Sequence, residues 1–106
     1  MERTKRMMEL KDGIAEITAI LEAPGKAANM EELLVKTGQM FAEAEFILAQ
    51  KRAAVLHELL ERKPQMSANE QKIMVDARCA REARLMRQIE QYNKAIGIIV
   101  ANRRRI

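Results

Sequence analysis

Tryptophan is missing from this chain, and phenylalanine and tyrosine together supply only three residues. So few aromatics argue against strands, whose pleated surfaces favour aromatic and β-branched side chains. They also leave almost no rings on which bases of single-stranded nucleic acid would stack. One cysteine, Cys79, excludes an internal disulfide and a cysteine metal cluster, and it suits a reducing cytoplasm. Prolines stand only at positions 24 and 64, where helices should stop. The four glycines, Gly13, Gly25, Gly38 and Gly97, are isolated, so no glycine-rich phosphate loop is present. The greasy stretch IGIIVA near the end is six residues, against the roughly 20 needed to span a bilayer. No membrane association is expected. The N-terminus, MERTKRMMELKDG, is basic but leads into no apolar run, so no secretory leader is expected.

What is there favours helices. Alanine, leucine and eight methionines dominate, and such side chains lose little freedom on a helix. With 106 residues, residues 1–106 form a single domain. Apolar residues at 48% and charged ones at 32% exclude a disordered composition. Charge is uneven. Residues 77–106 carry eight Lys or Arg against Glu82 and Glu90, a balance of +6. The remainder carries eleven against thirteen, −2, which completes the overall +4. Such asymmetry points to an anionic partner or to an acidic surface on another copy.

Spacing predicts three helices. Met7, Leu10, Ile14, Ile17 and Leu21 recur at three and four, giving a helix over about 2–22 that Ala23-Pro24-Gly25 ends. Asn29 with Glu32 forms a capping box opening a helix over about 30–62. Leu34, Phe41, Leu48 and Val55 recur on it every seven residues, flanked by Leu33, Met40, Ile47 and Ala54. A second seam, Ala42, Phe46, Ala49, Ala53, Leu56 and Leu60, lies on a neighbouring face. An apolar arc that wide requires more than one neighbour. Lys63-Pro64 stops the helix, and Ser67-Ala68-Asn69-Glu70 caps a third over about 68–103. Its seam is Val75, Leu85, Met86, Ile89, Tyr92, Ile96, Ile99 and Val100, with Ile98 pointing elsewhere.

The expected fold is therefore all-α: a long antiparallel hairpin of 30–62 and 68–103 with a shorter N-terminal helix, a coiled-coil-like three-helix bundle. Helices of about 50 and 54 Å outrun a companion of about 30 Å at 1.5 Å per residue. The outer arm is left bare. Ala53, Leu56, Leu60, Ile73 and Met74 there would face water, so a homo-oligomer, most simply a two-fold dimer, is expected to bury them. At mid-hairpin, Glu45, Arg52, Arg78 and Glu82 project onto one level, with Arg52–Glu82 as the cross-helix pair; a polar layer that sets register is favoured over an anion or catalytic site. Gly13 and Gly38 fall near one level and would allow α-helices to cross closely.

Catalytic chemistry finds no constellation. His57 has Ala54 three residues before it, so the Glu-x-x-His spacing of bundle di-iron sites is absent. Glu31-Glu32 starts like the paired-glutamate motif of all-helical nucleotide pyrophosphatases, but Val35 stands where the next carboxylate belongs. No enzyme activity, metal, catalytic residue or cofactor is expected. The basic residues offer more. Arg78, Arg81, Arg84 and Arg87 step 60° back around the helix in a slanting stripe. Arg81, Arg84 and Arg87 with Arg103, Arg104 and Arg105 are the candidate phosphate contacts of a sequence-tolerant nucleic-acid binder. The terminal arginines have a simpler role as well, because cations stabilise the negative end of a helix dipole.

Three stretches, AEAEFILAQKRAAVL, SANEQKIMVDARCA and RLMRQIEQYNKAI, in that order before a basic end, resemble small helical proteins of bacteriophage and prophage early regions. The resemblance implies a mobile-element origin near replication or recombination genes, and transfers no site residue. Taken together, the sequence leads to a non-enzymatic, cytoplasmic helical assembly protein, an oligomer whose surfaces hold a partner, either nucleic acid or protein. The alternative is an accessory nucleic-acid binder.

Overall fold

In the computed structural model, which describes residues 2–22 and 29–104, α1 spans Glu2–Glu22, α2 Met30–Arg62, α3 Ala68–Arg78 and α4 Ala80–Arg104. No strand occurs among the described residues. The Ala23-Pro24-Gly25 stop lies outside them.

Local chemistry sets the helix starts. The Asn29 side chain accepts hydrogen bonds from the backbone N–H groups of Glu31 and Glu32 at 3.1 and 3.2 Å. Ser67 Oγ accepts from the Glu70 N–H at 3.2 Å. Each cap satisfies donors that a helix N-terminus otherwise leaves unpaired. Before Pro64, α2 ends at Arg62, with the Lys63 N–H bonded to the Leu59 carbonyl.

The expected third helix is interrupted. At Cys79 the backbone adopts φ −103 and ψ 10, dividing it into α3 and α4. The interruption is shallow, because Cys79 N–H still reaches Val75 O and Ala83 N–H still reaches Cys79 O, both at 3.0 Å. No proline or glycine marks it in the sequence. It falls where the packing partners change: α3 lies on α2 alone, whereas α4 lies on α2 and α1.

Two apolar clusters follow that division. Leu10, Ile14 and Ile17 of α1 meet Leu33, Met40, Ala44 and Ile47 of α2 and Leu85, Ile89, Ile96 and Val100 of α4. Leu48, Val55 and Leu59 of α2 close on Cys79, with Val75 and Met86 against them. The seam read at steps of three and four thus supplies most of the core. The extents are 59 × 28 × 18 Å and the radius of gyration is 17.5 Å, against about 13 Å for a compact chain of this length. The molecule is a rod whose far end has no third helix.

Polar side chains pin the helices together near the wide end. Asn93 Nδ2 donates to Thr37 Oγ1 at 2.8 Å and to the Leu34 carbonyl at 3.1 Å, tying α4 to α2. Thr18 Oγ1 and Tyr92 Oη are 2.8 Å apart, tying α1 to α4. The two glycines contribute differently, with Gly13 packing on α2 at the level of Gly38. A Cβ on Gly13 would lie 2.9 Å from Met40 Cε, so Gly13 makes room for that side chain. A Cβ on Gly38 would face Asn93, not α1.

Candidate functional site

Glu82 is the one buried carboxylate among the described residues, with 6% of its surface exposed. Its partner is not Arg52. Lys51 Nζ donates to both carboxylate oxygens at 2.8 and 2.9 Å. Arg52 instead reaches Asp76 at 4.0 Å, Arg78 reaches Glu58 at 3.5 Å, and Glu45 is exposed. The expected four-charge layer is therefore one enclosed pair with separate surface pairs around it. The expected seam still faces inward, since Leu48 and Val55 are buried with Leu33, Met40 and Ile47, but Lys51 supplies the cation expected from its neighbour Arg52. The Lys51 side chain is itself partly buried. Cys79, fully buried, lies in the neighbouring cluster. Burial raises its thiol pKa above the ordinary value, with Glu82 and Asp76 adding to the rise and Lys51 and Arg52 opposing it. A protonated, enclosed thiol is a poor nucleophile.

The surface pairs divide the α2–α3 seam into two edges. Arg52–Asp76 marks one and Glu58–Arg78 the other. Leu56 and Leu60 follow Arg52 at steps of four, so they share its edge. Met74 precedes Arg78 by four and lies on the opposite edge. The expected interface group of Ala53, Leu56, Leu60, Ile73 and Met74 is exposed throughout, but it does not form one patch. The first edge instead continues up α2 as the second seam, where Ala42, Phe46, Ala49 and Ala53 are also exposed. Phe46 is 53% exposed and Leu60 40%. Phe46 and Ala49 flank a groove that Glu45, Arg52 and Met86 complete.

On the second edge lies α1. Its Met7, Met8 and Lys11 share a groove with Glu58, Arg78, Arg81 and Glu82. Beyond it, between α1 and α4, a further groove of about 720 Å³ contains Lys11, Arg81 and Arg84. Ile14, Ala15, Ala19 and Leu85 supply its apolar floor. The arginine stripe is thus divided by its surroundings. Arg78 is engaged by Glu58, Arg81 and Arg84 line this groove, and Arg87 and Arg103 are exposed without an ion pair to a described carboxylate. The Arg104 side chain and Arg105 lie outside the described residues. Lys11 and Lys51 were not legible as site residues, because each reads as an ordinary charged helix position.

His57 is exposed and 3.0 Å from Glu61. Among the described residues, no three His, Cys, Asp or Glu side chains are grouped to hold a metal ion. No described helix is long and apolar enough to cross a membrane. Compared with known protein families, curated proteins and solved structures, the chain matches none.

Proposed function

We propose that this chain is a non-enzymatic helical assembly protein whose long hairpin associates with a second copy through the exposed seam of α2. A two-fold dimer is the simplest arrangement, since one patch then meets itself. The supporting observation is the alignment of Ala42, Phe46, Ala49, Ala53, Leu56 and Leu60 on one uncovered edge. Small alanines between larger side chains let two helices approach while Phe46, Leu56 and Leu60 interdigitate. Many of its charged side chains pair along exposed helix surfaces, which suits a scaffold. The single buried thiol suits the cytoplasm, and the resemblance to prophage proteins suits a mobile-element origin.

Light scattering tests this reading. The wild type should show about twice its chain mass of 12.1 kDa, and Phe46→Glu with Leu60→Glu should restore the single-chain value. A wild-type protein that stays a monomer at high concentration sinks the proposal.

The second reading is nucleic-acid binding through the arginines of α4. It is favoured by the exposure of Arg81, Arg84, Arg87 and Arg103, none paired with a described carboxylate. Anisotropy with labelled single- and double-stranded DNA at two salt concentrations tests it. Binding that weakens steeply with salt and with Arg87→Glu supports it; no binding at low salt removes it.

A further inference from the structure

The groove between α1 and α4 combines two features that a phosphate backbone would not use together. Its floor is apolar: Ile14 and Leu85 are buried, and Ala15 and Ala19 present only methyl groups, leaving a trough where bulky side chains could enter. Its rim is cationic. Lys11, Arg81 and Arg84 are exposed, and none forms an ion pair with a described carboxylate. Glu22 stands at the far end from Lys11. Eleven residues separate them along α1, about 16 Å or three helical turns.

We infer that this groove docks an acidic amphipathic helix of a partner protein. Charge complementarity names the occupant: the partner carries Asp or Glu beside its apolar anchors where it meets Lys11, Arg81 and Arg84. It carries neutral or basic residues where it meets Glu22. Anchors at i, i+3 or i+4, i+7 and i+11 match three turns of trough. Nucleic acid fits less well, since no aromatic side chain lines the groove and phosphates, though drawn to the rim, would leave its apolar floor unused. A small amphiphilic anion is also a poorer fit, because such ligands are held mostly enclosed and this groove is open along its length. The site is independent of the self-association proposed above, which uses the opposite edge of α2.

Full-length protein is titrated into a fluorescein-labelled synthetic helix of about four turns, patterned with leucine anchors and flanking glutamates. A second peptide carries lysine for each glutamate, and a labelled DNA duplex is the third probe. The acidic peptide should bind and the lysine peptide should not. Its Kd should rise at least about tenfold for Arg81→Glu with Arg84→Glu, and for Ala19→Trp, which fills the trough. The charge-reversed protein should gain affinity for the lysine peptide. All these positions are exposed, and each variant should melt and scatter light like the wild type. A changed mass for the arginine variant would assign the groove to a second copy and overturn the inference. So would equal binding of both peptides, no peptide binding, or duplex binding lost with the arginines and indifferent to Ala19→Trp.

Discussion

The ammonium of Lys51 lies 2.8 and 2.9 Å from the two carboxylate oxygens of Glu82, closing α2 onto α4 where the chain narrows from three helices to two. This is an asymmetric pair. The acid is buried, whereas the lysine side chain keeps 30% of its surface in contact with solvent. Coulombic attraction is therefore partly screened, and the larger risk is a carboxylate left alone.

Lys51→Met should destabilise the fold by about 1–3 kcal/mol, since it leaves Glu82 buried without its donor. Replacing both residues by methionine should recover most of that loss. Arg52→Met, which breaks only an exposed 4.0 Å contact with Asp76, should cost no more than about 0.5 kcal/mol. Urea denaturation of these three variants checks the order. An Arg52 variant as damaged as the Lys51 variant would contradict the pairing.

Self-association through α2 should make the melting temperature depend on protein concentration, because mass action stabilises an associated native state. Wild-type protein should melt higher as it is concentrated, and Phe46→Glu should melt at one temperature throughout. The exposed position of Phe46 means that its loss should leave the helical circular dichroism of the protomer intact.

Gly97→Ala should stabilise the protein by about 0.5–1 kcal/mol, the usual helix-interior gain. Its new methyl would meet Leu34 Cδ1 at an ordinary 3.7 Å. Gly13→Ala should gain less, because its methyl would fall 2.9 Å from Met40 Cε and the methionine must move. Denaturant midpoints rank the two; a larger gain at Gly13 would show that Met40 yields freely.

Tyr92→Phe removes the phenol that meets Thr18 at 2.8 Å and should cost about 0.5–1.5 kcal/mol. Thr37→Val should cost a similar amount, about 1 kcal/mol, by leaving Asn93 with only the Leu34 carbonyl. Hydrogen exchange should localise the first loss to α1 and the second to the α2–α4 contact. A variant that loosens both sites equally would mean that the two links act as one network.

Cys79 predicts a pH dependence at the alkaline end. Burial lifts its thiol above the ordinary 9.0, so the folded state retains the proton to higher pH than the unfolded chain does. The contribution is fully present below the unfolded value and is lost as pH rises through the folded one. Stability measured from about pH 8 to pH 10.5 should fall more steeply in wild type than in Cys79→Ala. Identical slopes would mean that the thiol is not enclosed.

Helix existence and helix limits were readable because they depend on near neighbours. Asn29 and Ser67 cap donors within three residues, and Lys63-Pro64 ends α2 locally. The seam at three and four in α1 and α4 likewise named Leu10, Ile14, Ile17, Leu85, Ile89 and Ile96 as core. Rotation of one helix against another was not readable. Lys51 and Arg52 flank the same apolar arc of α2, so the pattern alone does not choose which of the two adjacent cations meets Glu82. The break at Cys79 is equally silent, since it coincides with a change of packing partner and carries no glycine or proline. The same holds for the separation of Leu56 from Met74 and the meeting of Lys11 with Arg81 and Arg84. Local hydrogen bonding and hydrophobic period are written residue by residue along the chain, whereas the choice of which face meets which helix is settled by the joint packing of all of them.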